Sequence, residues 1–308
     1  MSNYRIEEKI GNTPTLRLSR IEKKFGLKCH LYAKLEGQNP SGSVKDRAAL
    51  EMIKEAERRG LISRGSVVIE ATSGNLGISL AFLSAIYGFE AKIVMPKGLS
   101  YERRRLILSY GGSIVEVDGG MQAARERAKL LAEETKNAYT PSQFTNKSNV
   151  TSHYLTTGPE IFRDTRGDVD VFVCGVGSAG TISGAGSYLK MKKPRIKIIA
   201  VEPKSSPMLS SGRGGVHQIQ GIGADFIPPL YNKDLVDEVI CVGDEEAWTF
   251  TKLLAKEEGI LAGISSGAAL CAAVNAGMAE SCLEKTIMTI FPDRGERYFS
   301  TGMFDLQL

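Results

Sequence analysis

The chain has 308 residues, 42% hydrophobic and 24% charged, with a formal net charge of +4. That length suits a core divided between two lobes, since a single core stops growing near ~250–300 residues, while the balanced charge and lack of a long Lys/Arg run argue against nucleic acid as a partner. No apolar run approaches the ~18–20 residues of a membrane span, the start Met1-Ser2-Asn3-Tyr4-Arg5 carries no apolar leader, and Cys29, Cys174, Cys241, Cys271 and Cys282 form no C-x-x-C pair, so a cytoplasmic protein without a metal site is expected.

In chain order the first chemical signal is Pro40-Ser41-Gly42-Ser43-Val44-Lys45-Asp46-Arg47, a turn running into a predicted helix over 48–59. A lysine at a helix start meets the positive end of the dipole, which disfavours its ammonium and makes the nucleophilic amine easier to reach. Alone, Lys45 reads more readily as a solvated surface residue. Strand and helix patterns then alternate over 66–71, 76–87, 90–95, 100–110, 113–117 and 122–135. This rhythm predicts βαβ units and a mostly parallel sheet. Within it, Glu70-Ala71-Thr72-Ser73-Gly74-Asn75-Leu76-Gly77 ends a strand and begins a helix. Its hydroxyls and free N–H groups could hold a carboxylate, or Ser73 or Asn75 could simply cap the helix.

The polar stretch 140–151 reads as a crossover, which places a smaller lobe at 44–149 and a larger one at 1–43 and 150–308. The pattern resumes with a helix ending near Asp164, a strand over 169–174, the turn Gly175-Val176-Gly177-Ser178-Ala179-Gly180-Thr181, a helix near 182–190 and a strand over 197–202. Such a glycine turn can point successive amides inward as a phosphate nest. It also fits G-x-G-x-x-G, with Glu202 closing the next strand, so a nicotinamide-dependent dehydrogenase competes here, as does a glycine turn needed only for packing. Gly, Ser and Pro cluster at 205–229 and predict a long loop over a site. Finally, Gly263-Ile264-Ser265-Ser266-Gly267-Ala268-Ala269 opens another helix. In open α/β sheets all four positions border the ligand crevice, so the four segments are expected to converge.

Together and in this order, the four segments closely resemble the cysteine synthase (O-acetylserine sulfhydrylase) and cystathionine β-synthase family of pyridoxal 5′-phosphate (PLP) enzymes, fold type II. The resemblance extends from Gly11-Asn12-Thr13-Pro14 through Gln143-Phe144 and Thr156-Thr157-Gly158-Pro159-Glu160-Ile161 to Gly295-Glu296-Arg297-Tyr298. It implies an α/β protein of two lobes, each a mostly parallel twisted sheet flanked by helices, as in the tryptophan synthase β chain. It also implies β-elimination or β-replacement on a serine- or cysteine-like amino acid through an α-aminoacrylate.

By the same resemblance, Lys45 would carry PLP as a Schiff base and move the α-proton, and Asn75 would hydrogen-bond the ring hydroxyl. Gly177, Ser178, Ala179, Gly180 and Thr181 would hold the phosphate, and Ser265 would face the pyridine nitrogen. Thr72, Ser73 and Gln143 would grip the substrate carboxylate. The implied partners are a thiol, sulfide or water as second reactant, a second copy of the chain in a homodimer, and the C-terminal tail of a serine acetyltransferase. The glycine fingerprint lies past the middle of the chain, which turns the reading away from a dehydrogenase. A non-catalytic PLP-fold binding protein is the other alternative.

Three positions depart from the family pattern. The phosphate turn is usually Gly-Thr-Gly-Gly-Thr, so Ala179 adds a methyl that is tolerable where glycine-only angles are not required. Leu76 replaces the usual threonine of the substrate loop. Asp225, in Gly221-Ile222-Gly223-Ala224-Asp225-Phe226-Ile227-Pro228, stands where cysteine synthases commonly have glycine and resembles the aspartate of cystathionine β-synthases. A carboxylate beyond Cβ would repel hydrosulfide, attract the ammonium of a second amino acid, and accept a proton from water or a thiol. Asp225 is therefore expected to be catalytic, with L-cysteine losing hydrogen sulfide and yielding serine, lanthionine or cystathionine. Ordinary synthesis of L-cysteine from O-acetylserine is the alternative, with Asp225 only capping its own loop.

Overall fold

The computed structural model describes residues 5–98, 100–302 and 304. Ten strands form two sheets, of six strands in the order β1-β2-β10-β7-β8-β9 and of four in the order β5-β4-β3-β6. The larger sheet contains β1 (Thr15–Arg17), β2 (His30–Leu35), β7 (Val171–Gly175), β8 (Lys197–Pro203), β9 (Glu238–Val242) and β10 (Thr286–Phe291). The smaller contains β3 (Val67–Ala71), β4 (Glu90–Pro96), β5 (Ser113–Val117) and β6 (Ala138–Tyr139). Among the described strands only the β1–β2 pair is antiparallel; the other pairs are parallel, as helical crossovers require.

Among the described residues there are eleven α-helices: α1 (Ser19–Phe25), α2 (Lys45–Arg58), α3 (Asn75–Tyr87), α4 (Tyr101–Ser109), α5 (Met121–Glu134), α6 (Lys147–Leu155), α7 (Thr157–Asp164), α8 (Gly180–Lys192), α9 (Met208–Ser211), α10 (Asp244–Glu258) and α11 (Ile264–Gly277). Central strands are apolar on both faces because both faces are covered. Along β7, Val171 and Val173 join a core with α11 residues Leu270 and Val274, whereas Phe172 and Cys174 join one with Ile182 and Leu189 of α8. This two-residue alternation follows from the pleat. The four-stranded sheet has its own core, in which Ala49, Met52 and Ile53 of α2 pack against α3 and β4.

Two local readings need correction. The stretch 140–151, expected as a polar crossover, already begins α6, whose polar residues Ser148, Asn149, Ser152 and His153 are buried. The loop over 205–229 contains α9, pinned by Glu202, which accepts from Leu209 N at 2.7 Å and Ser210 N at 3.1 Å. What positions the site is the ends of β3, β7 and β10, which lead directly into residues 72–75, 176–180 and 292–297. α6 packs against both α2 and α8, joining the lysine helix to the glycine turn.

Candidate active site

Three of the four segments meet at Asp293, just past β10. Its backbone pairs with Ser43, its carbonyl accepts from Gly263 N at 3.2 Å, and its Oδ2 accepts from Asn75 Nδ2 at 2.6 Å. Val44 N donates to Pro292 O at 2.8 Å. One short segment thus ties together the lysine turn, the 72–75 turn and the start of α11. The glycine turn joins through Gly221: a Cβ on Gly177 would lie 2.5 Å from Gly221 O, and one on Gly221 would lie 3.7 Å from Ser265 Oγ.

None of the four helices that begin here, α2, α3, α8 and α11, has a side-chain N-cap. The same holds for α1, α5, α7, α9 and α10, while Ser100 caps α4 and Asn146 caps α6. In α2 the first amides are taken up by the preceding turn, Lys45 N by Ser43 Oγ, Asp46 N by Ser43 O and Arg47 N by Val44 O, each at 3.3 Å, whereas the positive dipole end at the start of α8 faces the glycine turn and suits an anion. Neither Ser73 nor Asn75 serves as the cap of α3: Gly74 is its N-cap and Asn75 its first residue.

Lys45 is partly accessible, and its ammonium makes no hydrogen bond or ion pair among the described residues. Burial brings it down to about 8, against the opposing pull of Cys174 and Asp293. An amine so placed is neutral in a substantial fraction near physiological pH. Burial also pushes the neighbouring Cys174 thiol up to about 12, which keeps it protonated.

Behind Lys45 the chemistry reverses. Arg47 donates through Nε and Nη2 to Glu36 at 2.7 and 2.8 Å, and through Nη1 and Nη2 to Glu160 at 2.7 and 2.8 Å. Lys34, fully buried, places Nζ 2.9 Å from Glu160 and 3.2 Å from Asp164, and donates to Thr13 O at 3.0 Å. Burial alone would raise the Glu160 carboxyl, but the hydrogen bonds and charge of Arg47, with Lys34, bring it down to about 2. Asp46 is held by Ser41 N at 2.7 Å, Ser79 Oγ at 2.6 Å and the Ser41 hydroxyl, which fixes the turn before the lysine.

In the glycine turn, Ala179 adopts a left-handed conformation with φ 66° and ψ 0°. A non-glycine residue reaches that region at a cost of roughly 1–2 kcal/mol, so the extra methyl is accommodated with strain. Gly180 has no such slack, because a Cβ there would overlap the Asn149 side chain. Asn149 Nδ2 donates at 2.9 Å both to Gln143 O and to Ser178 Oγ, linking the segment of Gln143 to the glycine turn. Thr181 Oγ1 lies 3.2 Å from Nε2 of the buried His153, whose Nδ1 lies 2.9 Å from Thr157 Oγ1. Burial and Arg47 take this imidazole down to about 3, so it is neutral at ordinary pH.

Thr72 and Gln143 are buried and Ser73 is half-buried, and the Ser73 hydroxyl and the Gln143 amide make no hydrogen bond among the described residues. Ser265 is buried in the first turn of α11. Asp225 stands apart: its side chain is 70% exposed and its charged neighbour is Arg125 of α5, 4.0 Å away. Arg125 also lies over the Phe226 ring, which packs edge-on against Phe144. Asp225 therefore sits at the rim between its loop and α5. Glu202 does not suit a ribose partner, since it is buried and also accepts from Ser210 Oγ at 2.5 Å.

Several site residues carry no signal of their own in the sequence. Glu70 Oε2 accepts from Ser142 N at 2.8 Å and its Oε1 from Gln143 N at 3.2 Å; burial pushes this carboxyl up to about 7. Arg297 donates to Asn75 Oδ1 at 2.5 Å and to Ser41 O, a path that exists because a Cβ on Gly42, at φ +90°, would collide with the guanidinium. Asn149, His153 and Asp293 likewise show no periodicity or motif beyond the family resemblance.

A family model described as "Pyridoxal-phosphate dependent enzyme" matches residues 6–293. A cysteine synthase of Staphylococcus aureus is 46% identical over 302 residues, covering 97% of this chain and 96% of that protein. A hydrogen sulfide-producing enzyme from Fusobacterium nucleatum superposes with a TM-score of 0.93 at 42% identity, covering 97% of this chain and 100% of that one. A cysteine synthase from Entamoeba histolytica superposes with a TM-score of 0.95 at 38% identity, covering 100% and 92%. The cradle fits the cofactor these matches share: an amine unpartnered among the described residues, and a glycine turn at the start of α8 with no room for Cβ at Gly177 or Gly180.

Proposed function

The chain belongs to the pyridoxal-phosphate dependent enzyme family, within it to the cysteine synthase type, and from that premise we propose that it eliminates or replaces the β-substituent of L-cysteine with release of hydrogen sulfide. When bound, the cofactor supplies an electron sink for charge at the α-carbon of the amino acid. Lys45 removes the α-proton as hydrosulfide leaves Cβ, and returns a proton to Cα once water or a thiol has added at Cβ. Its amine, drawn to about 8, is poised for both directions near neutral pH. Thr72, Ser73 and Gln143 bind the substrate carboxylate, and Asn75 donates to the ring oxygen. The turn at Gly177, Ser178, Ala179, Gly180 and Thr181 takes the phosphate on its amides and hydroxyls. Ser265 presents a neutral hydroxyl to the ring nitrogen, which moderates the sink. Residues 44–149 form the lobe that closes on the amino acid, as in lids that exclude water.

The observation that carries the choice of L-cysteine is Asp225 at the rim, on the loop that also brings Gly221 against Gly177 and Ser265. A carboxylate there disfavours entry of hydrosulfide and favours the ammonium of a second amino acid. The relative from Fusobacterium nucleatum, a hydrogen sulfide-producing enzyme, supports the same choice. The exposure of Asp225 and its pairing with Arg125 favour the second reading, ordinary L-cysteine synthesis from O-acetylserine and sulfide. A cytoplasmic homodimer is the working form we propose. The test is to give purified protein cysteine alone, cysteine plus homocysteine, and O-acetylserine plus sulfide, and to identify every product. Sulfide with serine, lanthionine or cystathionine from the first two supports the proposal; turnover of the third alone overturns it in favour of cysteine synthesis.

A further inference from the structure

Asp293 has a role that the activity above does not assign. Its side chain is buried, at 3% exposure, yet only one of its oxygens is used: Oδ2 accepts from Asn75 Nδ2 at 2.6 Å and from the Tyr298 hydroxyl at 2.8 Å, while Oδ1 meets no donor among the described residues. The other end of the Asn75 amide, Oδ1, accepts from Arg297 Nη1 at 2.5 Å. An asparagine amide can in general be turned over, exchanging its donor and acceptor ends. Here a turned amide would set its oxygen against a carboxylate and its N–H groups against a guanidinium. Asn75 is therefore locked with nitrogen toward Asp293, and its second N–H is the donor left over.

The lock is rigid for identifiable reasons. The Asp293 backbone is pinned to Ser43 and Gly263, and Gly263 has no room for a side chain because a Cβ would run into Asp293 Oδ1 and the Tyr298 ring. Tyr298 is itself fully buried beneath the guanidinium of Arg103, 4.9 Å from the ring centroid. Given the placement of Asn75 beside the cofactor's ring oxygen in the proposed function, on which this step rests, we propose that Asp293 is a positioning residue. It acts through Asn75, holding the amide as a hydrogen-bond donor toward that oxygen, and does not touch the ligand itself.

The test measures dissociation constants for two ligands on the apoprotein: pyridoxal 5′-phosphate, and an analogue whose ring hydroxyl is replaced by hydrogen. Asp293→Ala is expected to weaken the natural cofactor about tenfold, the worth of one hydrogen bond coupled to a charge, and to change the analogue by less than about twofold. Asn75→Ala should show the same selectivity, and the double variant should lose no more than either single one. Should Asp293→Ala not fold, Asp293→Asn carries the test with the same pattern at smaller amplitude. Equal losses for both ligands, or additive losses in the double variant, would overturn the inference while leaving the proposed function intact. Wild-type protein that binds neither ligand would overturn both.

Discussion

On one side of the first turn of α2, Arg47, Lys34, Glu36, Glu160 and Asp164 saturate one another at 2.7–3.2 Å. On the other, Lys45 lies near Cys174 and Asp293, with no ion pair of its own among the described residues. The rear is charged and fully paired; the front holds charges too, Asp293 and Arg297 about Asn75, but leaves the Lys45 amine, the Ser73 hydroxyl and the Gln143 amide without partners among the described residues. Buried charges cost several kcal/mol each unless every one is paired, so the rear can only be a fixed support. Orphaned donors and an unpaired amine in front are costly for the same reason until a ligand supplies partners. The difference separates what holds the lysine from what the lysine serves.

The largest effect is expected in front. Lys45→Ala should lower turnover by about a hundredfold to ten-thousandfold, the usual worth of a general base. Stability at neutral pH should be unchanged or raised, because the lost ammonium was disfavoured by burial. A variant that unfolds would break the distinction between support and service. The opposite signature is expected behind. Arg47→Met leaves the buried Glu36 without its cation and Glu160 with Lys34 alone, and should cost about 3–5 kcal/mol in denaturant unfolding.

The pH dependence sharpens the same contrast. The depressed carboxyl of Glu160 contributes stability that is complete above its ordinary value of 4.5 and is lost as pH falls toward about 2. Acid unfolding of the wild type should steepen in that window, and Arg47→Met should flatten it. The amine of Lys45 has the reverse sense: its folded value of about 8 lies below the ordinary 10.5, so its drag on stability is relieved as pH rises between the two. Acylation of the apoprotein at Lys45 should accordingly be half-maximal near pH 8; a midpoint near 10 would mean that the amine is solvated.

How legible this was in the sequence differs between the two sides. The front came from turns, where glycines and hydroxyls at strand–helix junctions have a local signature, and Lys45, Asn75, Ser265 and the 177–181 turn all lie in such segments. The rear was invisible, because Lys34, Arg47, Glu36 and Glu160 come from separate segments and look like ordinary surface charges until the fold buries them. α6 leaves no mark in the sequence for a related reason: a helix that buries Ser148, Asn149 and His153 shows no apolar period. Glu70 and Asp293 close polar turns through backbone contacts that no spacing predicts. Alternating β and α patterns, by contrast, marked the sheets clearly, since hydrophobic periodicity reports burial directly.

Two smaller effects follow at the edges of the front. Ser265→Asp should keep the fold but lower the unfolding midpoint of the apoprotein, because it buries a carboxylate, and should slow elimination and add side products that need a longer-lived carbanion, seen by product analysis and absorbance. Unchanged spectra and rates would place Ser265 away from the ring. Asp225→Gly should alter neither stability nor the first proton transfer, since the side chain is exposed. It should shift the product ratio from sulfide release and thiol addition toward cysteine synthesis from O-acetylserine. An unchanged ratio would leave Asp225 as a rim residue paired with Arg125.

The most direct measurement is the identity of the residue that carries the cofactor. Holoprotein reduced with borohydride, digested and mapped by peptide mass should show the pyridoxyl group on Lys45 alone, with Lys34 unmodified despite lying close by along the chain. Label on any other lysine, or none on a protein that still turns over its substrate, would contradict the division of the first turn of α2 into a charged support and a reactive front.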